Sequence, residues 1–371
     1  MNEQRNKTII KTSIIGIVVN VLLAAVKAVI GLIAGSIAIV LDAVNNISDA
    51  GSSIITIVGT KLAAKPADRK HPFGYGRIEY ISAMIISVIV LYAGITSLVE
   101  SVKKIIHPET AEYTTPGLII IAVAVVVKIL LGAYFKKVGK SVNSDSLVNS
   151  GEDATLDSVI SAATLVAAVI FLIWHVSIEA WLAAVISVVI IKSGIEMLSE
   201  TLSRILGERA DSATVIGVKK LITGYPQVHG AYDLILHNYG PDNYNGSVHV
   251  EVDDTLTADE IDTLTRDITN KVYKETGVIL TAISVYSRNT GHDSSAAMRD
   301  AVYAMAKEEQ YVLGAHGFYL DEPAREIRFD LVVSFDAPDR RAVTEDVAEK
   351  IKGAYPGYTP YINIDFDFSE T

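Results

Sequence analysis

Asp42, Asn45, Asn46 and Asp49 fall within about two helical turns of LDAVNNISDAGSS (residues 41–53), between the apolar runs IAIV and IITIVG. On a helix Asn45 and Asp49 are one turn apart and share a face, with Asp42 close to that stripe. A second set recurs in SGEDATLDSVIS, where Asp153 and Asp157 repeat the i, i+4 spacing and Glu152 points off their face. Two helices that each present an oxygen pair supply four donors, a natural provision for a divalent cation. Carboxylate and amide oxygens are hard donors, suiting Mg²⁺, Mn²⁺, Ca²⁺ or Fe²⁺ better than the imidazole and thiolate sets of zinc sites do. Such groups could instead only cap or hydrogen-bond neighbouring helices. Against that, a carboxylate at the centre of a bilayer costs at least about 2.5 kcal/mol, and paired clusters at matching spacing point to function. Three acids facing one another cannot all stay ionised without a cation, so metal-for-proton exchange is the expected chemistry.

The elements that must position these groups are membrane helices. Half of the 371 residues are hydrophobic, cysteine is absent, and the formal net charge is −11. Six stretches, near 9–34, 37–62, 79–104, 116–138, 147–174 and 178–203, have the roughly 20 mainly apolar residues that a span requires. Basic residues gather in the N-terminal arm (Arg5, Lys7, Lys11) and in the 61–77 and 136–146 connections, while the 34–37 and 174–178 connections have none. The positive-inside rule then places both termini in the cytoplasm. Lys27 and Lys128 lie well inside the first and fourth stretches, where an interior ion pair is the expected arrangement.

Beyond residue 207 the pattern becomes alternating strands and amphipathic helices. A helix near 213–224, strands near 231–240 and 247–253, a helix at 257–277 and a strand at 279–287 give the order αββαβ. The order repeats with a helix near 296–310, strands near 314–320 and 326–335, a helix near 338–353 and a strand near 360–368. The expected fold is therefore an α-helical membrane domain of six transmembrane helices (1–207), followed by two tandem cytoplasmic α+β units of ferredoxin-like αββαβ order (208–290 and 291–371), the second read as a duplication. Residues 1–206 hold 17 Lys/Arg against 15 Asp/Glu and the remainder 15 against 28, an acidic tail that argues against nucleic acid. No GxSxG, Walker A or HExxH sequence is present, so neither an enzyme nor an ATP-driven pump is expected.

Taken together, GSIAIVLDAVNNISD, the loop HPFGYGRIEY (71–80), the paired acids and the following αββαβ unit resemble the cation diffusion facilitator family of metal/proton antiporters over about residues 9–287. The resemblance implies four transport-site ligands, which fall on Asn45, Asp49, Asp153 and Asp157. Zinc-transporting relatives usually carry histidine in this set, so an Asn-Asp-Asp-Asp set is similar to the manganese-type branch. The resemblance also implies homodimers and, in some relatives, a second metal held by an acid and two histidines after helix two. The matching positions here are Asp68, His71 and Tyr75, a weak site or none, with His71 shaping the loop. Arg77 is similar to a family basic residue that pairs with an acid near the end of helix six, here Glu208 or Asp211.

Zinc-type relatives carry a histidine-rich cluster at the cytoplasmic dimer contact; this chain keeps His249 but has Tyr232 where another histidine is expected. His229 and His237 are read as surface or turn residues, and Asp233, Glu251, Asp253 and Asp254 as a solvated acidic face. The second αββαβ unit is read as having no site of its own, with Asp365, Asp367 and Glu370 alternating along an exposed strand face.

The resulting expectation is a multi-pass transporter of a bacterial plasma membrane that exports Mn²⁺ in exchange for protons. It needs no cofactor, the metal being substrate. Fe²⁺, Zn²⁺ or Cd²⁺ are competing substrates, and a membrane-anchored metal sensor is the alternative from another class.

Overall fold

The computed structural model describes residues 3–34, 37–107, 115–174, 178–241 and 243–365. These divide into two compact units, one ending at Glu208 and including Tyr239–Asn243, the other formed by the rest from Arg209 onward.

The first unit consists of long helices: α1 (Glu3–Ala34), α2 (Ile37–Ala63), α3 (Ile78–Ile106), α4 (Thr115–Ser141), α5 (Asp145–Trp174) and α6 (Glu179–Leu206). Helix α1 packs on α2, α4 on α5 and α3 on α6, and α2 also meets α5. Among the described residues four helices are long and apolar enough to cross a membrane: Glu3–Val29, Ile78–Ile106, Leu118–Ser141 and Ala180–Leu206. The other two expected spans, α2 and α5, are the helices that carry the acidic clusters. Large apolar side chains such as Leu22, Leu130 and Val185 face outward, as hydrocarbon surroundings allow.

Polar and small residues bring these helices together, since lipid supplies no hydrophobic drive between them. Asn149 of α5 donates to the Ala83 carbonyl at 3.2 Å and to Ser87 Oγ at 3.0 Å on α3. A Cβ on Gly132 would lie 2.9 Å from the Gly151 carbonyl oxygen, so α4 and α5 touch backbone to backbone where glycine faces glycine. Near the start of α3, the fully buried Glu79 holds Arg5 in a fork of 2.8 and 2.9 Å. Arg5 also donates to the carbonyls of Val142 (2.6 Å) and Asn143 (2.7 Å), so one guanidinium ties α1, α3 and the α4–α5 turn.

The second unit contains two αββαβ halves. The first is α7 (Ser212–Ile222), β1 (Val228–Asn238), β2 (Tyr244–Asp253), α8 (Ala258–Thr276) and β3 (Ile279–Arg288). The second is α9 (Ser294–Lys307), β4 (Val312–Asp321), β5 (Glu326–Val333), α10 (Arg340–Ala354) and β6 (Thr359–Asp365). Each half folds into a three-stranded sheet, β1-β2-β3 and β4-β5-β6, with the first pair antiparallel and the second parallel. Side chains that alternate along the central strands explain the two-faced sheets. Val248, Val250 and Val252 turn toward Val218, Ile222, Ile268 and Val272 of the helices, and Ile327, Phe329 and Leu331 toward Val302, Val347 and Ile351. Each such side chain contributes about 1.5–3 kcal/mol on burial.

Helix starts follow their caps. Asp211 and Asp293 accept from the third backbone N–H of α7 and α9, and Thr257 forms a capping box with Glu260 at α8. The strand boundaries differ from expectation by a few residues. Strand β1 begins at Val228, where pairing with Val252 starts, and β5 stops at Val333 because the Ser334 N–H turns to the Tyr311 carbonyl. Asp367 and Glu370 lie outside the described residues.

Candidate metal centre

Two of the acids predicted to converge, Asp49 and Asp157, meet at a lysine. Lys128 rises from α4 with its side chain 4% exposed, and its ammonium donates to Asp157 Oδ2 of α5 at 2.8 Å and to Asp49 Oδ2 of α2. Asp153, one turn before Asp157 on the same helix, interacts electrostatically with Asp49, Asp157 and Lys128. The 3.6-residue period gives each helix its acidic stripe, and α4 and α2 both lean on α5, which brings Lys128, Asp49 and Asp157 together. Glu152 points off this face, where it pairs with Lys136 of α4. The side chains of Asn45 and Asp42 lie outside the described residues. Asn46 is 1% exposed, and its Nδ2 has no hydrogen-bond partner among the described residues.

A buried ammonium between two carboxylates marks a point of converging negative potential, since an unpaired ion at such a depth would cost several kcal/mol. The interior ion pair expected for Lys128 is therefore present, and it joins the acids themselves. A divalent ion bound to the same oxygens competes with the lysine for them.

Around Asp68 the loop before α3 uses its own donors. The carboxylate accepts from the Tyr75 hydroxyl at 2.7 Å and from the backbone N–H groups of His71 (2.8 Å) and Lys70 (2.9 Å), with Lys65 at 3.5 Å. The Tyr75 hydrogen bond first, then those backbone donors, lower its pKa to about 2. The His71 ring lies tilted on Tyr75, 4.3 Å between centroids. The carboxylate thus organises the turn. Arg77 sits over the Tyr239 ring at 4.7 Å within the first unit, and Asp211 is the α7 cap.

Of the acids expected on a solvated face, Asp254 is exposed and Asp253 half-exposed, whereas Glu251 and Asp233 are drawn inward. Glu251 is 5% exposed and accepts from Arg288 at 3.2 Å, and Asp233 is enclosed with His249 at 2.5 Å. Asp253 pairs with His229 at 2.5 Å, and Asp254 accepts from Thr290. The second half also contributes polar groups that the sequence reading passed over. His316 of β4 is buried at 1% exposure and faces Asp233, and Asp365 is half-buried, 3.8 Å from His316, rather than fully displayed on an open strand. Register offered the available signal: His316 pairs with Asp330 as Tyr232 pairs with His249 in the first half.

The family model for the cation efflux transmembrane domain matches residues 13–206, and that for the cation efflux protein cytoplasmic domain matches residues 210–283. The chain is similar to an uncharacterized transporter of Methanocaldococcus jannaschii, 26% identical over 71% of this chain and 92% of that protein. It is also similar to the magnetosome protein MamB of Magnetospira sp., 25% identical over 67% of this chain and 85% of that protein. The manganese efflux system protein MneS of Bacillus subtilis is 28% identical over 70% of this chain and 88% of that protein. The transmembrane match alone covers more than half of the sequence, and the cytoplasmic match follows it directly. The chain therefore belongs to the cation efflux family, whose members are membrane transporters of divalent metal cations and not enzymes.

Proposed function

We propose that this protein exports Mn²⁺ from the cytoplasm in exchange for protons, through a site formed by Asn45, Asp49, Asp153 and Asp157. The observation that carries this reading is the Lys128 ammonium between Asp49 and Asp157: acids from two helices converge on a point that already holds a cation. The metal enters from the cytoplasm between α2 and α5 and sheds most of its water. Asp49, Asp153 and Asp157 supply charge and Asn45 a neutral carbonyl oxygen. Relative tilting of the helices then opens the site outward, where protonation of the aspartates releases the ion and protons return on the inward-facing form. Three carboxylates and an amide, with no imidazole, favour Mn²⁺, and similarity to a protein named for manganese efflux supports the same choice.

The reading includes six spans with α2 and α5 crossing as part of the bundle, both termini cytoplasmic, domains at 1–207, 208–290 and 291–371, and a homodimer. The two αββαβ halves, with shared helix caps and matching strand order, are read as a duplication. Metal flux into proteoliposomes under an imposed pH gradient tests the proposal, with Mn²⁺ and Zn²⁺ compared. Gradient-driven Mn²⁺ uptake is expected, abolished by Asp157→Ala while the protein stays folded. Uptake that survives Asp157→Ala and Asp49→Ala would overturn the site. A Zn²⁺ flux exceeding that of Mn²⁺ would overturn the choice of metal. Binding without flux would favour a metal sensor.

A further inference from the structure

The two sheets of the second unit each have one face covered by helices, and their other faces carry an uncommon set of polar groups that meet. From the first half come Tyr232, Asp233, His249 and Tyr286; from the second come His316, Asp330 and Asp365. His316 is the most deeply placed, 1% exposed, and its ring stacks parallel on Tyr232 with centroids 4.3 Å apart and 3° between planes. Among the described residues neither ring nitrogen has an aligned hydrogen-bond partner, and Asp233 Oδ1, 3.2 Å from His316 Nε2, has none either. A buried polar group left in that condition destabilises the fold unless something pairs with it. The cluster is arranged for something that takes a nitrogen and several oxygens together.

We infer that His316, Asp233 and Asp365 bind one divalent transition-metal ion between the two αββαβ halves of a single chain, at a site separate from the acids of the membrane helices. The Nε2 of His316 is 3.2 Å from Asp233 Oδ1, 3.8 Å from Asp365 Oδ2 and 4.0 Å from Asp330 Oδ2. Ligands roughly 2.1 Å from a common ion stand about 3.0–4.2 Å apart, depending on the angle between them. The ligand atoms of Asp233, His316 and Asp365 all lie within 4.8 Å of one another, so a small inward movement completes the shell. One imidazole and two carboxylates form a mixed set that suits Mn²⁺, Fe²⁺ or Zn²⁺.

The surroundings hold these ligands in place. His249 Nδ1 lies 2.5 Å from the second Asp233 oxygen, Oδ2, and Tyr286 places its hydroxyl 2.7 Å from Asp330 Oδ2 and 3.2 Å from Asp233 Oδ2. Asn363 donates to the other Asp330 oxygen at 2.9 Å. Groups behind a ligand set its orientation and basicity in this way. Backbone geometry contributes as well. Register shifts interrupt β1 between Tyr232 and Ile235 and β4 between His316 and Tyr319. Asp233 adopts φ 53° at the first, and Gly317 takes φ 66° at the second. A Cβ at 317 would come within 2.9 Å of Asp330 Oδ2 and 3.0 Å of Tyr286, so glycine is what lets the halves close there. His316 and Asp365 come from residues beyond the range matched by the cytoplasmic family model.

The test uses Mn²⁺ alone as probe on the full chain in detergent, with Asp49→Ala and Asp157→Ala together emptying the membrane-helix acids. The proposed transport ligands contain no imidazole, so nitrogen coupling from histidine in the pulsed EPR spectrum of bound Mn²⁺ reports on this site. The double variant is expected to retain about one Mn²⁺ per chain with imidazole coupling. Adding His316→Asn removes the coupling and weakens binding more than tenfold, beyond the low end of what losing a residue behind a ligand costs. Absence of coupling in the double variant, or its persistence after His316→Asn, would overturn the assignment. If His316→Asn does not give a folded chain, Asp365→Asn decides: it is expected to weaken Mn²⁺ at least tenfold with the coupling kept, and an unchanged affinity overturns the site.

Discussion

At the proposed transport site, Lys128 sets the terms on which a metal reaches Asp49 and Asp157. While its ammonium bridges the two carboxylates, an incoming ion must displace a cation tethered to the protein, so part of the binding free energy is spent on that exchange. Replacing it by methionine keeps most of the length and removes the charge. Lys128→Met is expected to tighten Mn²⁺ binding by about tenfold or more, near 1.4 kcal/mol. The same change leaves two acids facing each other in a buried place, and removing one partner of such a group costs about 3–5 kcal/mol. The metal-free variant should therefore melt lower than the unaltered protein and recover when Mn²⁺ is added. Calorimetric titration and thermal unfolding in detergent check both signs; weaker binding together with unchanged melting would contradict the competition. The interior position of Lys128 was legible from its place in an apolar run. Its partners were not, because 79 and 29 residues separate it from Asp49 and Asp157 and only the packing of three helices unites them. His316 was hidden for a related reason. A lone histidine between glycine and alanine has no motif, and its meaning comes from facing a sheet that begins more than 80 residues earlier.

Among the helices, the firmest joint described is the pair of Arg5 and Glu79. Both side chains are buried, and the guanidinium also satisfies two carbonyls of the α4–α5 turn. Glu79→Gln keeps the shape but leaves an arginine without its counter-ion. Loss of about 3–5 kcal/mol is expected, read as a lowered unfolding midpoint, whereas Glu79→Asp with partial recovery would show that charge rather than length governs the joint. An unchanged midpoint for Glu79→Gln would remove the pair from the account. Period and spacing alone identified the helices of the first unit and the αββαβ order of the second, because apolar repeats of 3.6 and 2 are local properties of the chain. The strand edges were less legible. They depend on partner backbone, as where pairing with Val252 brings Val228 into β1 and Ser334 leaves β5 for Tyr311. The solvated acidic face held for Asp254 but not for Asp233 and Glu251, for the same cause: alternation shows which residues share a face, but not what lies against it.

At the scale of the whole molecule, a positively balanced helical unit is joined to an acidic tail with 15 Lys/Arg against 28 Asp/Glu. The five residues between Arg288 and Ser294 are all that separates β3 from α9. That brevity makes the meeting of the two halves a first-order event, with an effective concentration in the millimolar range typical of short linkers. Two sheets that belonged to separate chains would part on dilution, and a shared ion would be lost with them. Here the fraction of His316–Asp233–Asp365 sites filled at a given free Mn²⁺ level is expected to be the same at nanomolar and micromolar protein. Dilution thus separates a pocket owned by one polypeptide from one assembled between two.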